Sequence, residues 1–353
     1  MQRALVLGGT VFVGRAIVEE LRAQGVQVTV LHRGRSGTGL WPDVEERLGD
    51  RDGGLEVLGD DRWDVCIDTC GYVPRIVRQS AEYLKDRVSR YLFISTISVY
   101  SGQNGIDFME GGPVHPVPPA EVEEVTGETY GGLKVGCENV VQEIYGNRST
   151  ILRPGLLFGP HDPTDRFTYW LWAIAKFPVV VAPMPKFQNL QILDARDLAK
   201  LTVIAATRGV PGIFNAAGQA VAWNDLIGHC CRAVEMPAQI LWADEDSLRR
   251  AGVEPWTDLP VWVPASDPSQ LISRVNYDRA RGLGFKPRDM RETVTDLAKW
   301  LKDNPKEEIK VGAPRAAIAR SHPRPRRSLI HQKRSSEAWM ISSFCSATSC
   351  STT

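Results

Sequence analysis

Short apolar runs alternate with amphipathic stretches along the first half of the chain. Four of these runs have the apolar character of buried strands, at residues 4–7, 26–31, 65–69 and 90–95. The stretches 15–24 and 75–84 space their apolar residues three and four positions apart, which predicts helices. Apolar strands that alternate with helices indicate a parallel sheet covered on both faces. The predicted fold class is therefore α/β, with a doubly wound parallel sheet at its centre.

The same pattern marks the end of a first domain. Residues 55–58 fit either a short helix or an edge strand, whereas 131–145 predicts a helix and 149–153 a strand. The proline-rich stretch 101–126 predicts a long loop, which is either functional or a surface insertion. Together these segments give a first domain at residues 1–160.

The remainder of the chain has a different character. Residues 161–311 are richer in tryptophan and proline and predict a smaller C-terminal lobe that holds the substrate. Within this lobe, 188–217 is strand-like at both ends and is expected to return to the main sheet, and 291–301 predicts a closing amphipathic helix. Residues 312–353 are basic and then rich in serine and threonine, which predicts a disordered tail.

Composition narrows the class of protein. The 353 residues carry 42 Lys+Arg and 42 Asp+Glu, so the formal net charge is zero, which argues against nucleic acid or an anionic membrane as the partner. No apolar run reaches the roughly 18–20 residues that span a bilayer, and the chain enters a predicted strand at once rather than a signal peptide. The seven cysteines are irregularly spaced and lack the ligand pattern of a zinc site. We expect a cytoplasmic protein without a bound metal.

A glycine-rich turn follows the first predicted strand. Its sequence is Gly8-Gly9-Thr10-Val11-Phe12-Val13-Gly14, with Val11 at the middle position of a G-x-x-G-x-x-G spacing. A turn of this kind brings backbone N–H groups and a helix N-terminus close to a pyrophosphate, as in Rossmann-type domains. The residues expected to hold a dinucleotide cofactor here are Gly8, Gly9, Thr10, Phe12, Val13 and Gly14.

The end of the second predicted strand bears on the choice of cofactor. An acid there would accept the ribose hydroxyls of NAD, but none is present. Arg33 and Arg35 would instead pair with a 2′-phosphate, unless they are solvated surface residues. Asp50 either reaches the adenine amine or caps a turn. NADP is therefore the favoured cofactor, with NAD as the alternative.

A tyrosine and a lysine open the helix at 131–145. Tyr130 and Lys134 are four residues apart, so their side chains lie on the same side of the helix. A nearby ammonium lowers the pKa of a phenol, which would make Tyr130 usable as an acid or base near neutral pH. Thr96 and Ser98, at the end of the strand 90–95, provide the hydroxyl partner that such a site needs.

These motifs resemble a known family. The glycine turn, the run Ile94-Ser95-Thr96-x-x-Val99-Tyr100, the Tyr130-x-x-x-Lys134 pair, the segment Arg153-Pro154 to Gly159-Pro160 and the stretch 191–199 resemble the extended short-chain dehydrogenases/reductases, which include sugar-nucleotide epimerases and dehydratases. The resemblance covers about residues 3–305. It implies a catalytic triad of Thr96, Tyr130 and Lys134, in which Lys134 also holds the nicotinamide ribose and Ser98 is secondary. It also implies a homodimer that pairs the helix 131–145.

Two departures from the family pattern bear on function. Val11 and the segment Asp68-Thr69-Cys70-Gly71-Tyr72 resemble an atypical branch that includes the chloroplast stem-loop RNA-binding proteins, whose members need not be active oxidoreductases. The retained Tyr130/Lys134 pair favours an enzyme. Ile97 and Ser98 stand where a dehydratase of the family carries an Asp-Glu pair, which argues against that reaction.

The sequence thus predicts an NAD(P)-dependent oxidoreductase that transfers hydride at a carbonyl or hydroxyl carbon of a small-molecule or sugar-nucleotide substrate. The alternatives are an NAD-dependent sugar-nucleotide epimerase and a non-catalytic nucleotide- or RNA-binding protein. In the lobe, Arg166 would pair with a substrate anion, and Trp170 or Tyr169 would stack on a ring. Alternatively, Arg166 bridges to its neighbours and Trp170 belongs to the core.

Overall fold

The computed structural model describes residues 1–101, 108–267 and 274–312. The strands are β1 (Arg3–Leu7), β2 (Gln27–His32), β3 (Glu45–Leu48), β4 (Trp63–Asp68), β5 (Val88–Ile94), β6 (Ser149–Pro154), β7 (Leu156–Phe158), β8 (Val179–Pro183), β9 (Asn189–Asp194), β10 (Gly212–Ala216), β11 (Ala220–Ala222) and β12 (Gln239–Ala243). The α-helices are α1 (Phe12–Ala23), α2 (Pro74–Leu84), α3 (Tyr130–Tyr145), α4 (Thr168–Lys176), α5 (Ala195–Arg208), α6 (Trp223–Ala233), α7 (Glu245–Arg250), α8 (Asp278–Gly282) and α9 (Met290–Asp303).

Seven strands form a parallel central sheet in the order β3-β2-β1-β4-β5-β6-β10. Alternate side chains of β1 enter opposite cores, Ala4 and Val6 beneath α1 and α5, and Leu5 and Leu7 beneath α2 and α3. Because both faces are covered, the strands are apolar almost throughout, as the sequence pattern indicated. The predicted α/β class with a doubly wound parallel sheet is confirmed.

The strand order reverses between β1 and β4, and this reversal opens a cleft at the carboxyl edge of the sheet. The backbone N–H of Thr69, just after β4, donates to the carbonyl of Leu7 at 3.1 Å, which joins the ends of the two strands. Ligands of doubly wound folds bind at this point of the sheet. The glycine-rich turn leaves β1 here and Tyr72 follows β4, so both border the cleft.

Three local features differ from the sequence expectations or extend them. Strand β3 has the polar sequence Glu-Glu-Arg-Leu and carries no apolar signal, since it is an edge strand that pairs only with β2 within the described chain. Residues Leu55–Leu58 form a 3₁₀ helix rather than an edge strand. The expected return of 188–217 to the main sheet needs correction, because only β10 joins it. Strand β9 pairs with β7 and β11 in a separate three-stranded sheet.

The lobe has its own hydrophobic core. Helices α4, α6 and α9 pack together around tryptophans with no exposed surface, namely Trp170, Trp223 and Trp262. Strands β8 and β12 form a two-stranded parallel sheet beside them. The predicted closing helix corresponds to α9. Of the predicted tail 312–353, all but Gly312 lies outside the described residues.

Candidate active site

The glycine-rich turn forms a cradle between β1 and α1. Gly8 has φ +95°, a left-handed conformation that favours glycine. A Cβ on Gly14 would lie 2.9 Å from the Cα of Gly9, so the helix can approach the strand only without that atom. No side chain caps the N-terminus of α1, where Phe12 and Val13 stand in the first turn. The backbone N–H groups of this turn therefore fit a pyrophosphate of a dinucleotide cofactor.

Val11 fits this turn for a simple backbone reason. It is the N-cap residue of α1 and has φ −126° and ψ 139°, an extended conformation open to any residue. Besides Gly8, the left-handed residue of the turn is its neighbour Phe12, with φ +40°. The middle position of this turn therefore does not require glycine.

The loop after β2 folds back onto the glycine turn. Ser36 Oγ lies 2.8 Å from Thr10 Oγ1, a contact that the sequence analysis did not single out. Arg33 approaches Asp50 with 3.9 Å between guanidinium nitrogen and carboxylate oxygen, and Arg35 is exposed. Asp50 also accepts a hydrogen bond from the backbone N–H of Asp52, so it caps a turn. These groups line the end of the cleft where the adenosine of a dinucleotide would lie.

Thr96 and Ser98 lie where β5 ends. The hydroxyl oxygen of Thr96 accepts a hydrogen bond from the Ser98 backbone N–H at 3.1 Å and caps a short 3₁₀ helix, Ile97–Val99. Thr96 Oγ1 also lies 3.2 Å from Ser98 Oγ. Helix α3 packs directly on this turn, since a side chain on Gly131 would collide with the carbonyl oxygen of Ser98. The first turn of α3, which carries Tyr130, is thereby brought to the end of β5.

Lys134 is anchored beneath the cleft. Its ammonium donates to the carbonyl oxygens of Gly71 at 2.8 Å and Ile94 at 2.7 Å, which leaves one of its three N–H groups for a further acceptor. Burial lowers the pKa of Lys134. The ring of Tyr72 lies 5.4 Å from the Lys134 ammonium and 6.5 Å from the Tyr130 ring, measured to ring centroids. The two predicted catalytic side chains thus border the same aromatic residue, which sequence reasoning missed.

A buried ion pair fixes the turn that carries Tyr72. Arg51 donates to both carboxylate oxygens of Asp68, at 2.6 and 2.8 Å, and the Tyr91 hydroxyl donates to Asp68 at 2.8 Å. Burial alone would raise the pKa of Asp68, but the charge of Arg51 and these hydrogen bonds lower it below the usual value. Asp68 also accepts the backbone N–H of Cys70 at 3.1 Å, which shapes the turn after β4.

A second buried ion pair lies behind Thr96. Arg153 donates to both carboxylate oxygens of Glu138, at 2.9 and 2.6 Å, and Ser95 donates to one of them at 2.5 Å. The Arg153 guanidinium also donates to the carbonyl of Glu110 and lies over the Tyr100 ring, 4.9 Å from its centroid. This cluster joins α3, β5 and β6 to the long proline-rich loop.

Arg166 borders the site from the lobe. Its guanidinium carbon lies 5.8 Å from the ring centroid of Trp256. Burial lowers the pKa of Arg166. Asp162 and Tyr130 raise that pKa through their charges, so both side chains lie close enough to interact with the guanidinium. Asp162 is buried beside it, with one carboxylate oxygen bonded to Thr164 and the other without a hydrogen-bond partner among the described residues. Burial raises the pKa of Asp162 to about 6.

Of the two alternatives for Trp170, the structure supports a core position and not one that faces a substrate. It has no exposed surface, donates its indole N–H to the carbonyl of Pro260 at 3.0 Å and packs edge-on against Trp223. Tyr169 is also buried. Trp170 is therefore a core residue, and the aromatic residue beside Arg166 is Trp256, almost a hundred positions further along the chain.

Within residues 1–101, 108–267 and 274–312, no helix is long and apolar enough to cross a bilayer.

A protein-family model matches more than half of the chain. The model of the NAD dependent epimerase/dehydratase family matches residues 4–217. That range includes the glycine turn, Thr96, Tyr130, Lys134 and Arg166.

Curated relatives share part of the chain. The dTDP-D-glucose 4,6-dehydratase of Homo sapiens is 21% identical over 229 residues, which are 62% of this chain and 58% of the relative. The chloroplast stem-loop binding protein of 41 kDa b of Arabidopsis thaliana is 26% identical over 258 residues, which are 67% of this chain and 64% of the relative. The chain thus matches only about 60% of the length of these relatives.

Solved structures share the fold. A UDP-glucose 4-epimerase from Thermotoga maritima, solved with UDP-glucose, is 16% identical with a TM-score of 0.65, covering 86% of this chain and all of that one. A UDP-N-acetylglucosamine 4-epimerase from Bacillus cereus is 18% identical with a TM-score of 0.63, covering 89% of this chain and all of that one. A complex of MoeE5 with UDP-glucose and NAD is 18% identical with a TM-score of 0.62 and covers 86% of this chain and 99% of that one.

Proposed function

The chain belongs to the NAD dependent epimerase/dehydratase family, as its motifs predicted, and from this premise we propose that it is an NAD(P)-dependent enzyme. It transfers hydride at a carbonyl or hydroxyl carbon of a substrate that carries an anionic group. Sugar nucleotides are the first substrate class to test, since the relatives and neighbours named above include enzymes of dTDP-glucose, UDP-glucose and UDP-N-acetylglucosamine.

One observation carries this proposal, namely the position of Tyr130 and Lys134 against the same aromatic ring at the carboxyl edge of the sheet. Tyr130 passes a proton to or from the reacting oxygen, and the hydroxyl of Thr96 hydrogen-bonds that oxygen. Lys134 uses its remaining N–H to hold a ribose hydroxyl of the cofactor. A nicotinamide cofactor held here would supply or accept the hydride.

NADP is the proposed cofactor. Arg33, Arg35 and Ser36 lie on the loop that folds onto the glycine turn, and guanidinium groups suit the oxygens of a 2′-phosphate. The contact between Arg33 and Asp50 is long and half-exposed, so a phosphate can replace Asp50 as the partner of Arg33.

We propose a net oxidation or reduction rather than an epimerisation. NADP is typically consumed and released as a co-substrate, whereas epimerases usually recycle a bound cofactor. Ile97 and Ser98 occupy the positions at which a family dehydratase would carry two acids, so these positions lack the acid–base pair of that reaction.

A substrate panel tests the proposal. Nucleotide sugars and simple carbonyl compounds are incubated with NADPH or NADH, and turnover is followed by absorbance and product mass. In Tyr130→Phe, turnover should fall about 10²-fold or more while cofactor binding survives, because one hydroxyl is lost and the ring still packs. Wild-type turnover in this variant refutes the mechanism. An unchanged absorbance with an isomeric product indicates an epimerase. No turnover, together with retention of structured RNA on a filter that falls steeply with salt, supports the non-catalytic alternative.

A further inference from the structure

The chain after α9 runs back across the lobe as a strap, which we define as residues 304–312. Its side chains Ile309 and Val311 pack against the lobe core. Its backbone carbonyls at Lys306 and Glu307 accept hydrogen bonds from Trp172 Nε1 at 3.0 Å and from Lys176 Nζ at 2.7 Å, both on α4. The strap is thus fastened to α4 through two adjacent carbonyl groups, and further contacts reach the segments that carry Arg166 and Trp256.

The first of these contacts is with the residue before Arg166. Asp165 is almost fully buried and has φ +57°, a left-handed conformation that a non-glycine residue keeps only where its surroundings impose it. Lys306 of the strap forms an ion pair with its carboxylate. Lys310 adds its backbone N–H to the same carboxylate at 3.4 Å, and its ammonium donates to the carbonyl of Pro163 at 3.0 Å. The strap therefore holds the left-handed residue that directly precedes Arg166.

The second contact is with the residue after Trp256. Trp256 is also left-handed, with φ +63°. The backbone N–H of Gly312 donates to the carbonyl of Thr257 at 2.8 Å, and Gly312 lies so close to the Tyr169 ring that any side chain there would collide with it. Both partners of the contact between Arg166 and Trp256 are therefore next to a residue that the strap binds.

We propose that Lys306 is a positioning residue of the substrate site. Through its ion pair with Asp165, it holds Arg166 over Trp256, where the guanidinium receives the anionic group of the substrate. The ligand of this subsite is a phosphate or carboxylate group, since a guanidinium donates in pairs to either. The inference rests on the proposed function for the nature of the ligand but not for the role of the strap.

Trypsin tests the role of the strap without any substrate. The bond after Arg166 is a trypsin site, and its cleavage rate reports how often this loop opens. In full-length Lys306→Met, cleavage after Arg166, identified by fragment mass, should be about ten-fold faster or more than in wild type. Lys306→Arg should restore the wild-type rate. The matched control is Lys302→Met, which removes a lysine that pairs with Glu235 on the surface and should leave the rate unchanged.

Calorimetry with UDP-glucose as the probe tests whether Lys306 affects substrate binding. In protein saturated with NADPH, Lys306→Met should weaken UDP-glucose binding about ten-fold, as expected for a misplaced charged contact. The affinity for NADPH itself should be unchanged. Should Lys306→Met fail to fold, Trp172→Phe takes its place, because it removes only the indole donor to the strap and should raise cleavage after Arg166.

The outcomes separate the two proposals. Cleavage and UDP-glucose affinity that both equal wild type in Lys306→Met overturn the positioning role. If wild-type protein does not bind UDP-glucose but cleavage is faster in Lys306→Met, the sugar-nucleotide substrate is rejected. The role of Lys306 in holding the loop of Arg166 is then supported. An equal loss of NADPH affinity would show a general structural defect and would also overturn the positioning role.

Discussion

The buried pair of Glu138 and Arg153 allows a sharp test of how the site is held together. Both side chains are at most 4% exposed, and the carboxylate accepts three hydrogen bonds, two from Arg153 and one from Ser95. In Glu138→Gln an amide replaces the carboxylate with almost no change of volume. The guanidinium then stays buried without a counter-charge, and the amide N–H₂ faces other donors.

The expected loss of unfolding free energy is about 3–5 kcal/mol, the usual cost of breaking a buried ion pair by removing one partner. Helix α3 provides a matched control in Glu143→Gln. Glu143 also pairs with an arginine, Arg78, at 2.5 and 2.9 Å, but its side chain is 62% exposed. The loss there should be no more than about 1 kcal/mol. The two variants share the helix, the substitution and an arginine partner, so the difference between their losses of unfolding free energy reports the effect of burial.

Urea unfolding followed by tryptophan fluorescence and circular dichroism measures both variants. With a slope of about 2–3 kcal/mol per molar urea, Glu138→Gln should lower the midpoint by about 1–2.5 M at unchanged slope. In the double variant Glu138→Leu/Arg153→Met, an apolar pair should recover much of the loss, because no lone charge remains buried. Equal shifts for Glu138→Gln and Glu143→Gln would refute the reasoning, since the buried pair would then contribute no more than an exposed one.

Three further predictions concern single side chains. Arg33→Ala should weaken NADPH binding about 10- to 100-fold, the value of one charge-assisted contact, and leave NADH binding unchanged in a fluorescence titration; equal losses for both cofactors would contradict a 2′-phosphate contact. Lys134→Met should lower cofactor affinity and turnover together, whereas Thr96→Val should lower turnover with little change in cofactor affinity; the reverse pattern would reject these roles. Burial raises the pKa of Asp162 to about 6, above its unfolded value of about 3.9, so the folded state binds this proton more tightly and loses stability as pH rises from about 4 to 6. Asp162→Asn should therefore raise the thermal midpoint relative to wild type at pH 7.5 but not at pH 4, and an equal shift at both values would contradict the sign.

The sequence could predict the features that depend on local spacing. Apart from the polar edge strand β3, the strands of the central sheet follow from apolar runs. The cradle follows from the glycines of one turn, and the Tyr130/Lys134 pair from helical spacing. Val11 looked like a defect because a glycine pattern does not state which residues of the turn are left-handed. The backbone assigns that conformation to Gly8 and Phe12, whereas Val11 is extended.

The features that escaped prediction depend on contacts between distant segments. Arg51 and Asp68 meet only because the loop after β3 folds over β4, and no local sequence pattern pairs the two residues. Trp170 lies on α4, which is apolar on nearly all sides, so its spacing could not tell a core position from a ligand-facing one. The setting of Arg166 is built by residues near positions 256 and 306, and no local pattern joins these to it.

Strand β10 has a consequence for how this chain can be cut or recombined. It pairs with β6 and is the last strand of the central sheet, yet β7 to β9 of the lobe lie between the two in sequence. A fragment that stops near residue 160 would leave the backbone of β6 unpaired along one edge, a site for aggregation with other chains. Exchange of substrate lobes between relatives therefore requires one junction before α5 and another after β10. The segment from α5 to β10 must stay with the cofactor half.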